Sequence, residues 1–220
     1  MLPANEGLYY VEKTRRSIPE GLITPSSFLN NVHPLSAKAA KFIDSKAFFC
    51  SVPKGRHLLR EGVTCPYMFL IVKGIMRAYI LEGKTEITTW IVGEVDLVSS
   101  ISSFFNQTAS LENIQALEDC DLIGLSFQDL ETAYEKYPEM NIAARKILQI
   151  IYRQAEERAY LTRLTKAGSR YAYFAKSNQA LLSRVPLKYI ASFLGMTLET
   201  LSRLRGAISR PQKEAREKTI

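Results

Sequence analysis

Residues 47–126 are cut by turn residues into eight short runs rich in β-branched and aromatic side chains: 48–52, 57–60, 67–72, 76–81, 85–92, 95–98, 111–116 and 121–125. Many short strands at about 8–12-residue spacing predict a sandwich, jelly roll or barrel. Gly55, Gly62, Gly74, Gly83 and Gly93 punctuate the runs, each placed to take the positive φ of a tight turn. The segment Leu81-Glu82-Gly83-Lys84-Thr85 reads as a hairpin.

Helical spacing flanks this block. Phe28, Leu29, Val32, Leu35, Ala39, Phe42 and Ile43 recur at helical intervals, and Pro34 splits them into two short helices with Ser36 capping the second. Residues 1–25, with Pro3, Pro19, Gly21 and Pro25, read as an arm with a short strand over 8–11. After the strands, 129–134 predicts a short helix ending before Pro138. Residues 141–164 then run 24 residues without Gly or Pro, roughly 36 Å of helix. The long helix carries Ile142, Ile147, Ile150, Ile151, Ala155, Ala159 and Leu161, a stripe that must meet either the chain's own sheet or the same helix of a second subunit. Gln154 and Arg158 interrupt its heptad. Ala167-Gly168 reads as a hinge, followed by helical blocks at 169–177, 178–183 and 186–209, and a polar tail over 210–220.

The segment 185–208 carries the functional reading. Pro186 suits a helix N1 position, and Leu187, Ile190, Ala191 and Leu194 form one apolar face. Gly195 permits a sharp turn, Thr197 caps a second helix, and Leu198, Leu201, Leu204 and Ile208 make its buried stripe. Two short helices joined by such a turn are a helix-turn-helix. The opposite face of the second helix presents Glu199, Thr200, Ser202, Arg203 and Arg205, side chains suited to base edges and phosphates. Charge agrees. Residues 1–144 carry 13 Lys+Arg against 17 Asp+Glu, whereas residues 145–220 carry 16 against 5. A basic domain attracts polyanions, nucleic acid first among them.

Other classes have less support. No run approaches the roughly 18 apolar residues of a spanning helix, so no membrane partner is expected. The start Met1-Leu2-Pro3-Ala4-Asn5-Glu6 shows no secretory signal. Cys50, Cys65 and Cys120 are odd in number and scattered, which fits a reducing cytoplasm rather than a disulfide framework. There is no P-loop, HExxH, GxSxG or paired-Cys motif, and no enzyme, metal or resident cofactor is expected. His33 and His57 read as structural residues, and the cysteines as packing residues.

Over roughly residues 26–208 the chain resembles the Crp/Fnr family of bacterial transcription regulators, and 59–74 with 186–204 look most like its Bacteroidetes-type branch. The resemblance rests on Leu59-Arg60-Glu61-Gly62, Phe69-Leu70-Ile71-Val72-Lys73-Gly74, Gly83 and Gly93-Glu94, followed by the long helix and the helix-turn-helix. It implies an α+β chain: an N-terminal double-stranded β-helix (jelly-roll) effector domain, a long dimerisation helix and a C-terminal all-α helix-turn-helix domain. The expected boundaries are an arm at 1–25, the roll at 26–138, the dimerisation helix at 139–166 and the DNA-binding domain at 167–220. It further implies a homodimer joined through Ile147, Ile150, Ile151, Gln154, Arg158 and Leu161, bound to double-stranded DNA at an inverted repeat, with RNA polymerase as a protein partner. Lys188, Thr197, Glu199, Thr200, Ser202, Arg203 and Arg205 are the DNA-contact candidates. Glu199, Thr200 and Arg203 match the family's Glu-Thr-x-x-Arg, whereas Leu198 replaces a base-reading Arg.

Cyclic-AMP binders of the family carry a Glu and an Arg in the phosphate cassette. Here the stretch offers Ser99, Ser100, Ser102, Ser103 and Ser110 as effector-pocket candidates, without a guanidinium for the phosphate. Weak or absent cAMP binding is therefore expected, with an unidentified small effector or a vestigial pocket in its place. Only twelve polar residues follow Ile208, so no β-hairpin wing is expected. A ligand-sensing or protein-interaction module with degenerate, non-specific DNA binding is the alternative reading.

Overall fold

The computed structural model describes residues 18–217, with side chains through residue 207. The strand expected over 8–11 lies outside the described residues.

Two short helices open the fold: α1 (Pro25–Asn30) and α2 (Ala37–Lys46). Thr24 and Ser27 form a reciprocal capping box at α1, with Pro25 at its first turn. Ser36 caps α2 by accepting from Ala39 N at 3.2 Å, as expected of it. Asp44 of α2 accepts from both Ser26 N (2.9 Å) and Ser26 Oγ (2.5 Å), which ties the two helices together.

Strands β1 (Phe48–Val52), β2 (His57–Leu59), β3 (Tyr67–Lys73), β4 (Met76–Glu82), β5 (Thr85–Val92), β6 (Leu97–Val98), β7 (Asn113–Ala116) and β8 (Cys120–Ser126) form two antiparallel four-stranded sheets. Their orders are β1-β8-β3-β6 and β2-β7-β4-β5, the jelly roll expected from the strand spacing. Between the sheets lie Val52, Leu58, Phe69, Ile71, Met76, Ala78, Ile114 and Leu122 in one core. Gly55, Gly62, Gly74 and Gly83 do take positive φ; Gly93 does not, and Val95 at φ 69° makes the turn there instead. That turn shortens the expected 95–98 strand to Leu97–Val98. Leu111 is exposed and outside β7. A short helix α3 (Ile101–Asn106) stands where no element was expected.

Helix α4 (Phe127–Lys136) stops before Pro138, and α5 (Pro138–Arg163) starts on it, three residues earlier than the periodicity alone suggested. Proline at N1 explains the start. Then come α6 (Ala167–Ser177), α7 (Gln179–Leu182), α8 (Leu187–Phe193) and α9 (Leu198–Glu217). The break after α5 falls over 164–166, and Gly168, expected as the hinge, lies inside the first turn of α6. The stretch expected as a polar tail continues α9 to Glu217.

Helix α5 joins two cores. Near its start Met140 and Ala143 are buried in the core of the roll. Near its end Leu161 is buried with Tyr171, Phe174, Leu181, Ile190, Leu194 and Leu201 in the core of the C-terminal helices. Ile75, Ile91 and Leu117 of the roll belong to that second core, so the C-terminal helices pack on the roll as well as on α5.

Gly124 shows how tightly the first sheet is packed. A Cβ there would meet the Phe48 ring at 2.4–2.9 Å. Gly124→Ala should lower stability by about 1–3 kcal/mol through overpacking, measured by urea unfolding. Phe48→Leu should recover part of that loss in the double variant. Strict additivity of the two changes would show that the ring is not the obstacle.

Candidate DNA-binding and effector sites

Helices α8 and α9 form the expected helix-turn-helix. Pro186 is the residue preceding α8 rather than its N1. The turn closes through Gly195 at φ 60° and Met196 N donating to Ala191 O at 3.0 Å. Thr197 Oγ1 accepts from Thr200 N at 3.2 Å, which starts α9. Ile190, Ala191, Leu194 and Leu201 are buried. Leu198 is not part of that buried stripe: it is 44% exposed. The side chain of Ile208 lies outside the described ones.

The DNA-contact candidates are all accessible to solvent. Lys188, Thr197, Glu199, Ser202 and Arg203 are exposed, and Thr200 and Arg205 are half-buried. The backbone N–H of Glu199 and the Thr197 hydroxyl hold the Glu199 carboxyl below its ordinary pKa, so it stays an acceptor. Arg170 of α6 was not singled out in the sequence, yet it clamps the turn. Its guanidinium donates to Leu194 O (2.8 Å) and Gly195 O (3.3 Å), and also to Leu164 O (2.6 Å) at the end of α5.

A polar seam joins this motif to the outer face of the second sheet. Arg77 of β4 is 1% exposed. Its guanidinium lies between the rings of Tyr79 (4.4 Å) and Tyr189 of α8 (3.8 Å). It donates to Gln115 Oε1, to Thr88 Oγ1 and to the Glu86 carboxylate. Ser192 of α8 accepts from Thr88 N at 2.9 Å and donates to Glu86 O at 3.1 Å. Beside this, Arg184 binds two carboxylates, Glu94 (2.6 and 2.9 Å) and Glu118 (2.6 and 3.1 Å). None of Arg77, Tyr189, Ser192 and Arg184 is marked by a local motif, because each acts on a residue far away in sequence.

Inside the roll, Ser99, Ser100, Ser103 and Ser110 are buried, whereas Ser102 is exposed. Their hydroxyls serve the fold. Ser99 Oγ donates to Tyr67 O at 3.2 Å, and Ser103 Oγ accepts from Cys65 N at 2.8 Å. Ser110 Oγ lies 3.0 Å from Ser100 Oγ and accepts from Glu112 N at 3.1 Å. Glu112 accepts from Trp90 Nε1 at 3.1 Å; burial pushes its carboxyl up, and the bonds from Ser100, Trp90 and Thr89 oppose that. His57 Nε2 lies 2.8 Å from Tyr79 Oη, and burial together with Arg60 and Arg77 lowers its pKa. Cys50, Cys65 and Cys120 are buried and form no disulfide, and burial pushes Cys50 and Cys120 up to about 12, far from a reactive thiolate.

The stripe expected to join two subunits is only partly covered by the chain's own cores: Ile150 is exposed, Ile147, Ile151, Gln154 and Arg158 are half-buried, and Leu161 is buried. Ile147 packs on the core of the roll, and Leu161 is buried in the second core. Ile147, Leu148 and Ile151 line an apolar cavity of about 340 Å³ against the first sheet, and Gln154 and Arg158 line another cavity. Of the expected stripe, Ile150 alone is strongly exposed, at 43%. The outward face carries Leu148, Tyr152, Ala155 and Ala159, all exposed and spaced four, three and four residues apart.

Residues 49–137 match the cyclic nucleotide-binding domain family. Three solved structures share the fold over most of the chain. FixK2 from Bradyrhizobium japonicum has a TM-score of 0.66 at 20% identity, over 76% of this chain and 86% of that one. A Crp/Fnr-family regulator from Eubacterium rectale has 0.63 at 18% identity, over 82% and 88%. The regulator CLP of Xanthomonas campestris has 0.59 at 14% identity, over 80% and 93%. No curated protein sequence matches the chain. The roll is thus similar to a cyclic nucleotide-binding domain, and the chain shares the fold of these regulators. Among the described residues, no helix is long and apolar enough to cross a membrane.

Arg184 holds the Glu94 carboxyl at about 2, well below its ordinary value. A depressed carboxyl stabilises the fold above its unfolded pKa, and that contribution is lost as pH falls toward the folded value. Between pH 5 and pH 2.5 the thermal midpoint of the protein should therefore fall more steeply than that of Arg184→Gln. Parallel slopes in the two proteins would show that the Arg184–Glu94 pair contributes nothing to acid sensitivity.

Proposed function

We propose that this chain is a homodimeric, sequence-specific DNA-binding transcriptional regulator of the Crp/Fnr type, controlled by a small effector that is not cAMP. The observation that carries the reading is the helix-turn-helix itself. Its capped second helix presents Glu199, Ser202 and Arg203 to solvent, on the basic half of the chain, while α8 rests on the roll. Arginine and glutamate at the start of a recognition helix suit guanine and cytosine edges in the major groove. CLP of Xanthomonas campestris is described as c-di-GMP-responsive, so a fold of this kind serves effectors other than cAMP. The reading against cAMP is supported by the serine cassette: Ser100 and Ser110 bond to each other, and no arginine stands among residues 97–110.

Dimerisation is assigned to the outward face of α5. Leu148, Tyr152, Ala155 and Ala159 follow the 3-4 spacing of a coiled-coil seam, and small residues at its centre let two helices approach closely. Two copies joined there would present their recognition helices to successive major grooves, about 34 Å apart. RNA polymerase is the protein partner such a regulator implies.

Selection from a randomised duplex pool with ligand-free protein should enrich an inverted repeat. On that site Arg203→Ala should cost about 1–3 kcal/mol and relax one base position, whereas Lys188→Ala should weaken cognate and random DNA alike and reduce the salt slope by about one. Equal loss for Arg203→Ala on both DNAs would reassign it to phosphate. For the dimer, Leu148→Lys with Tyr152→Lys should give monomers by light scattering. A dimer that survives both changes would move the interface off this face.

A further inference from the structure

We propose that the DNA contact continues past the helix-turn-helix signature along the second half of α9: Gly206 lets one sugar-phosphate strand of the duplex lie close against the helix backbone, and Arg210 and Lys213 supply the positive charge beyond it. The inference rests on the regulator reading above and extends the surface that would carry it.

Helix α9 runs for 20 residues, Leu198–Glu217. Its first two turns pack on the C-terminal core through Leu201 and Leu204, and about three further turns follow. At 3.6 residues per turn, positions 199, 202, 203, 206, 210 and 213 fall on one face, opposite Leu201 and Leu204. The face that starts with Glu199, Ser202 and Arg203 is therefore not confined to the motif.

Gly206 is the unexplained residue on it. It is exposed, and a Cβ there would meet nothing within 4 Å among the described residues. It also sits inside a helix rather than at a positive φ. Neither packing nor backbone conformation calls for glycine, and a glycine inside a helix costs stability relative to alanine. What glycine offers is a stretch of helix surface without a side chain, which another backbone can approach closely.

Charge identifies the occupant. The sequence puts arginine at 203, glycine at 206, arginine at 210 and lysine at 213, so basic residues stand on both sides of the bare stretch. Glu214 and Glu217 follow and end the basic stripe. Along the axis, Gly206 lies ~4.5 Å, Arg210 ~10 Å and Lys213 ~15 Å beyond Arg203. The major groove is about 12 Å wide. With Arg203 at a base edge, those distances lead from the groove floor to its wall, where the phosphates stand. Contacts to phosphate are independent of sequence and fix the register of the base-reading residues.

Full-length protein is titrated by fluorescence anisotropy against a labelled random-sequence duplex and against the repeat enriched by selection, each over a series of salt concentrations. Gly206→Ala should weaken binding to both DNAs at least threefold and Gly206→Gln at least tenfold, while neither lowers the thermal midpoint of the free protein. Arg210→Gln with Lys213→Gln should weaken both DNAs alike and flatten the salt slope by about two. The proposal is overturned if Gly206→Gln binds as the wild type does, if the glycine variants lower the thermal midpoint, or if the double variant keeps the wild-type salt slope. Wild-type binding with unaffected variants would remove this surface and leave the regulator reading standing. A wild-type protein that binds neither DNA would remove both.

Discussion

The buried guanidinium of Arg77 sets the terms on which the two halves of this protein meet. Removing a charge from water costs several kcal/mol unless excellent partners replace the solvent. Arg77 finds them in Gln115, Thr88 and Glu86 of the roll and in the face of Tyr189 from the C-terminal helices. Its burial is complete only while α8 is docked. If α8 lifts away, water can solvate the charge again, so parting this polar seam is cheaper than parting an apolar core of equal area. A docking surface built this way holds one orientation through directional bonds without making it permanent. Ser192 adds to the direction: its hydroxyl bonds the N–H of Thr88 and the carbonyl of Glu86 on β5, as a neighbouring strand would.

The same seam determines what the motif can present. Tyr189 and Ser192 commit one face of α8 to the roll, and Ile190 and Ala191 commit another to the core beneath α9. What remains outward is Lys188 on α8 and the Glu199, Ser202 and Arg203 face of α9. Arg170 then ties the turn to the end of α5, so a displacement of the long helix is passed to the motif through hydrogen bonds rather than through loose packing.

Much of this was legible in the sequence, and the exceptions share a physical origin. Strands β1 and β5 coincide with their expected limits because β-branched and aromatic runs there end at Pro53 and Gly93. The caps at Ser36 and Thr197 could be read because a cap acts on a residue three positions away. Helix α3 escaped notice because it has six residues and Ser100 makes no capping bond to announce it. Leu198 was read as buried from its spacing with Leu201, yet a helix's first residue can face solvent while the next turn is covered. Arg77, Arg184 and Ser192 could not have been found at all. Their partners lie up to 112 residues away, and only the docking of the C-terminal helices on the roll brings them together.

The long helix shows why periodicity needs a structure beside it. An apolar stripe says that a face is covered but not by what. On α5 Ile147 and Leu161 are drawn in by two cores of the same chain, because Met140 and Ala143 anchor one end and Leu161 the other, while Ile142 and Ile150 stay exposed. That fixes the helix's rotation and leaves Leu148, Tyr152, Ala155 and Ala159 outward, a narrower and weaker stripe than the one turned inward. A helix of 26 residues pinned at both ends cannot rotate one end without disturbing the other. The outward stripe is therefore presented at an angle set by the roll and the C-terminal helices together. Whatever changes their docking must also change the angle at which a second helix would meet this one.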